Sequence, residues 1–120
     1  MSKELININY IPERSAATDY TSDEFRVQWA VDSLAFQFVF SGRVYGTATF
    51  QARIIPDTWE QLEGCEPITF EVNQLAGNTS SKIVVIPQTA NYCAALRIVW
   101  DSLDPSAIGT IQVASRLMPI

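Results

Sequence analysis

The chain has 120 residues, 48% of them hydrophobic and 18% charged, with a net charge of −5. It is too apolar to be disordered, and at this length roughly 65% of the unfolded surface can be hidden, enough for one core without disulfide or metal staples. Its 8 Lys plus Arg are scattered singly, which excludes a phosphate-binding stripe and direct nucleic-acid partners.

Residues 5–11 set Ile6, Ile8 and Tyr10 in alternation with Asn7 and Asn9, the pattern of a short strand or extended arm. Pro12 removes a backbone donor and ends it, and the polar stretch 13–24 reads as a loop or linker. The expected organisation is an N-terminal arm and linker over 1–24 and a β-sandwich domain over 25–120. An arm set apart in this way either reaches a neighbouring subunit, with Ile6, Ile8 and Tyr10 as its assembly residues, or folds back on its own sheet.

Residues 25–31 and 34–40 alternate Phe25, Val27, Trp29 and Val31, then Phe36, Phe38 and Phe40, around Asp32-Ser33. This spacing predicts a hairpin with a two-residue or a four-residue turn. Ser41-Gly42-Arg43 is the next turn. Residues 44–55 form a strand with Gly46, Ala48, Phe50, Ala52 and Ile54 on one face, Gly46 marking a bulge or close packing. Pro56-Asp57-Thr58 reads as a turn that brings Trp59 over an end of the sandwich.

Residues 68–72 form a further strand and 74–81 a loop, and the apolar run 82–86 is expected to be a strand buried on both faces. After the turn 87–91, residues 92–100 alternate again, 101–108 form a loop, and 109–115 the last strand. Eight or nine short strands with no helical period predict an all-β fold, a single antiparallel β-sandwich of jelly-roll or Ig-like type.

Catalytic readings find little support. The sequence has no histidine, hence no Ser-His-Asp or Cys-His arrangement and no imidazole zinc site. Asp57, Glu60, Glu63 and Glu66 crowd one region, but a solvated turn explains them better than a glycosidase pair. Asp101 and Asp104 lack the companions of a calcium loop, and the five glycines are dispersed rather than gathered into a phosphate loop. No enzyme activity, metal or cofactor is expected. Cys65 and Cys93 read as free thiols in a reducing compartment, and Asn78-Thr79-Ser80 as a loop rather than a glycosylation site. The first residues show no secretory signal, and no stretch has the length of a membrane span; cytosolic synthesis is the expectation. Trp29 and Trp100 fall in register with apolar faces, which leaves Trp59 as the candidate stacking residue for a carbohydrate.

Ser41-Gly42, Tyr45-Gly46-Thr47-Ala48-Thr49-Phe50-Gln51-Ala52, Asp57-Thr58-Trp59-Glu60-Gln61-Leu62, Tyr92 with Arg97-Ile98-Val99-Trp100, and Gly109-Thr110-Ile111-Gln112-Val113 together carry a resemblance. Over residues 41–115 the chain resembles small β-sandwich virion proteins of tailed and other bacteriophages. The resemblance implies a capsid, decoration, spike or tail component that works by assembling with other virion proteins and with itself, as a cyclic trimer or pentamer. Its expected location is the virion, after synthesis in the host cytoplasm. A carbohydrate-binding module or a receptor-binding fibre tip is the alternative.

Overall fold

The computed structural model describes residues 6–26, 31–61, 65–86 and 95–119, with side chains for 11–24, 35–61, 65–86 and 95–115. Ten strands occur among them and no helix: β1 (Ile6–Ser15), β2 (Tyr20–Thr21), β3 (Phe25–Arg26), β4 (Val31–Ser41), β5 (Val44–Arg53), β6 (Glu60–Gln61), β7 (Ile68–Val72), β8 (Thr79–Ile86), β9 (Ala95–Ser102) and β10 (Thr110–Pro119). The all-β sandwich expected from the alternation is observed. Sheet A has the order β1-β10-β4-β8, while in sheet B β9 and β5 are central, flanked by β2 and β3 on one side and β6 and β7 on the other.

The antiparallel pairings nest. β1 pairs with β10, β2 and β3 with β9, β4 with β8, and β5 with β7, so the first half of the chain lies against the second in reverse order. Two further pairings, β10 with β4 and β9 with β5, stitch these ribbons into the two sheets.

The core is the space between the inner faces. Phe36, Phe38 and Phe40 of β4 and Ile111 and Val113 of β10 meet Val44, Ala48 and Phe50 of β5 and Leu96, Ile98 and Trp100 of β9, all buried. Phe70 of β7 joins the layers, its ring centroid 5.0 Å from Phe38 and 4.8 Å from Phe40. Such tilted ring pairs contribute about 0.5–1.5 kcal/mol each beyond the area they bury. Gly46 lies directly against Trp100: a Cβ there would overlap the six-membered ring of the indole. The register with β7 runs unbroken through it and that with β9 starts at it without a shift, so close packing, not a bulge, explains this glycine.

Several expectations are corrected. Pro12 does not end the first strand: β1 continues to Ser15, with register shifts between Asn9 and Ile11 and between Ile11 and Arg14. An edge strand accommodates proline at such irregularities because no ladder bond is lost there. Of the two courses open to the arm, the chain takes the return to its own sheet. The stretch 13–24 is not a free linker, since it contains β2 and buries Ala16 and Ser22. The Asp32-Ser33 hairpin is absent, because β4 runs straight through both residues and β3 belongs to the other sheet. The apolar run 82–86 is buried on one face only; β8 is an edge strand, with Ile83 and Val85 on the outside. The loop after β7 ends at Asn78, and the 101–108 loop starts only after Ser102.

Candidate functional site

Trp59 follows the Pro56–Thr58 turn, which is closed by the Thr58 N–H donating to the Ile55 carbonyl at 3.3 Å. Glu60 and Gln61 then pair back onto Ala52 and Gln51. That pairing sets the half-buried indole beside the outer face of sheet B, where the Arg97 guanidinium lies 4.2 Å and that of Arg53 5.4 Å from the ring centroid. Arg97 Nε donates to Gln51 Oε1 at 2.7 Å, and Arg53 Nη2 pairs with Glu24 Oε2 at 2.6 Å. The tryptophan therefore packs on two anchored cations outside the core and does not plug the sandwich end. A sugar stacking on it would compete with a cation–π contact worth about 0.5–2 kcal/mol. Trp100 is in the core, as its register implies, and Trp29 lies outside the described residues.

Asp57, Glu60 and Glu66 are exposed, Glu66 accepting a bond from Gln61 Nε2 at 3.4 Å, while Glu63 lies outside the described residues. Among the described residues no three His, Cys, Asp or Glu side chains come together as metal ligands. Cys65 is buried; burial, and then the neighbouring Glu66 carboxylate, push its thiol pKa up, away from reactivity. Cys93 lies outside the described residues, so its pairing does too.

The loops 42–43, 73–78 and 103–109 meet at the end of the sandwich where β5 begins. Gly42 (φ 73°) and Gly109 let these loops touch: a Cβ on Gly109 would overlap the Arg43 and Ser41 carbonyls, and the Gly109 N–H donates to the Arg43 carbonyl at 2.9 Å. Asp104 ties the rim. Its Oδ1 accepts from Ser106 Oγ at 2.6 Å and from the Ser106 N–H at 3.0 Å, and its Oδ2 from Arg43 Nη2 at 3.1 Å. The Ser106 bonds first, and then the Arg43 charge, hold this carboxyl below its ordinary range. Leu75 and Ile108 stand 78% and 83% exposed beside a shallow cleft of about 400 Å³. At the opposite end, a strand length of about 30 Å away, Ile54 and Ile55 are also exposed.

Ile6, Ile8 and Tyr10 lie on β1, where Ile6 is in register with Leu117 and Ile8 with Ser115; their side chains are outside those described. The exposed apolar residues at the sandwich ends and on β8 were not distinguishable by sequence reasoning. Apolar residues in loops and at alternate strand positions look the same whether a neighbouring layer covers them or not.

No family model and no curated protein sequence matches the chain. Among solved structures it is similar to a chain in the structure of the infectious bursal disease virus Gx strain, with a TM-score of 0.61 and 14% identity, covering 98% of this chain and 32% of that one. The chain thus spans about a third of the viral chain's length. It is also similar to a chain from Bacillus endospore appendages, described as disulfide-linked pili (TM-score 0.47, 13% identity, 100% and 92% covered). A third match is the tobacco streak virus coat protein (TM-score 0.46, 12% identity, 98% and 86% covered). At such identity the first likeness bears on the sandwich fold alone. The first is a chain of an infectious bursal disease virus and not of a bacteriophage, so the bacteriophage part of the resemblance gains no support from it.

Proposed function

We propose that this chain is a non-enzymatic structural protein of a virion, which builds part of a shell or appendage by repeated contacts with copies of itself and with other virion proteins. The observation that carries this reading is where the exposed large apolar residues lie: Ile54 and Ile55 at one end, Leu75 and Ile108 at the other, Ile83 and Val85 along one edge. Single exposed apolar residues are ordinary, but their grouping on the ends and an edge supports reading those places as contact surfaces. Counting β2 with β3 and β6 with β7 as interrupted single strands, the nested pairing has the order of an eight-strand jelly roll, an architecture that capsid and lectin domains use. The likeness to the infectious bursal disease virus chain supports the same reading. Within it the assembling surfaces are the sandwich ends and sheet edges, with Ile6, Ile8 and Tyr10 on β1 assigned to contacts other than strand addition, since Pro12 and two register shifts interrupt that edge. The carbohydrate alternative is weaker, because Arg97 and Arg53 already lie over the Trp59 ring.

Light scattering of the full chain across a concentration series, with electron microscopy of the largest species, tests the proposal. Rings, tubes or closed shells growing with concentration are the expected result. A chain that stays monomeric throughout the series, alone and with the other proteins of its particle, refutes it.

A further inference from the structure

Of the sheet edges among the described residues, all but one are blunted in recognisable ways. β1 carries Pro12 and two register shifts. The β2/β3 edge is split into two-residue pieces, and the β6/β7 edge into strands of two and five residues. Interruption, proline and irregular register are among the devices that keep strand edges from pairing with other chains, as is an inward-pointing charge. β8 has none of the first three, and of the last only Lys82. Its eight residues pair with β4 in continuous register from Thr79 opposite Ser41 to Ile86 opposite Leu34, without proline or glycine, and no described strand lies on its far side.

This row of backbone donors and acceptors, open among the described residues, is flanked by apolar surface. On the outer face Ile83 is 62% and Val85 66% exposed, and the adjoining β4 residues Ala35, Gln37 and Val39 are uncharged. The single charge on the strand, Lys82, is on the opposite face, with Nζ 5.8 Å from the Phe70 ring centroid. Unpaired strand N–H and C=O groups are matched in number and spacing only by another extended strand, so the chemistry of the edge selects a strand as occupant.

The geometry points to a second copy of this chain: two β8 strands pair antiparallel about a two-fold axis normal to the sheet and centred on Ile83, joining two four-stranded sheets into one of eight. This inference rests on the assembly reading above and names the partner and the edge. Self-complementarity sets the register. A centre at Lys82 would oppose ammonium to ammonium, and one at Val84 would confine the overlap to residues 82–86. The Ile83 centre overlaps 80–86, sets Ile83 against Ile83 with Ser81 and Val85 on either side, and leaves each Lys82 opposite Val84. Isologous contacts of this kind close after two copies, so the ends remain free for further assembly.

Cysteine pairing in the full-length protein under mild oxidation reads the register, because directly opposed residues of an antiparallel pair have Cα atoms about 4.5–5.5 Å apart, within disulfide reach. Ile83→Cys is expected to give a covalent dimer by itself. Ser81→Cys and Val85→Cys should each stay single and crosslink only when mixed. Ile83→Lys, on an exposed position where far-UV circular dichroism should be unchanged, is expected to weaken the dimer roughly a hundredfold. Dimers that survive Ile83→Lys, or cysteine pairs in any other pattern, overturn the β8 contact and leave the assembly reading standing. A wild-type chain monomeric under every condition sinks both.

Discussion

The fit of Gly46 on β5 against Trp100 on β9 depends on the absence of one carbon atom. Replacing Gly46 by Ala would force the buried indole, held by its Nε1–H donating to the Ala16 carbonyl at 3.0 Å, out of its position. Overpacking of this kind costs about 1–3 kcal/mol, more than the roughly 0.5–1 kcal/mol that a strand alanine returns over glycine. Denaturant unfolding of Gly46→Ala should therefore show a lower midpoint with an unchanged slope. Asp104 sets a pH dependence at the same scale. Its folded-state pKa is depressed, so its contribution is complete above the ordinary aspartate range and is lost as pH falls through the folded value. The stability difference between the wild type and Asp104→Asn should shrink as the solution is acidified, and a difference that grows towards low pH would contradict the assigned bonds.

At the scale of elements, β1 illustrates how far local pattern carries. The alternation of Ile6, Ile8 and Tyr10 identifies an extended segment correctly, and Pro12 suggests a stop that an irregular edge strand does not need. The segment around and beyond Pro12 is integral to the core: Ile11 and Ala16 are buried, the Ala16 carbonyl accepts from Trp100, and Ser22 Oγ accepts from the Ile98 N–H at 2.9 Å. A serine in a polar stretch gives no sign that it will lie beside β9. Deleting residues 1–22 leaves two buried donors unpaired and opens β10. Unpaired buried donors cost about 1–3 kcal/mol each, and a lost buried isoleucine about 1.5–3 kcal/mol, against a total stability of about 5–15 kcal/mol. The truncated chain should lose its cooperative thermal transition, whereas a detachable arm would leave it intact. β8 is the complementary case. Its run Ile83-Val84-Val85-Ile86 reads as doubly buried, whereas Ile83 and Val85 are exposed on the edge proposed above to pair with a second copy.

At the scale of the whole molecule, side-chain alternation was enough to establish the strands of the core and the burial of Phe36, Phe38, Phe40, Phe50 and Trp100, and turn residues such as Gly42 and Pro56 the Ser41–Arg43 and Pro56–Thr58 turns. The physical reason is local: period two places apolar groups on one face of any strand, whatever its neighbours. Missing histidine and dispersed glycines likewise are legible without a fold. Which strands pair was a different matter, because in a nested arrangement most neighbours are far apart in the chain. The expected Asp32-Ser33 hairpin failed for that reason, with β3 drawn to β9 and β4 to β8 and β10. Exposure obeyed the same logic. Ile83 and Phe38 are both apolar strand residues, but one faces outward from an edge and the other inward between two layers, a distinction made by the packing of the sheets and not by the residues themselves.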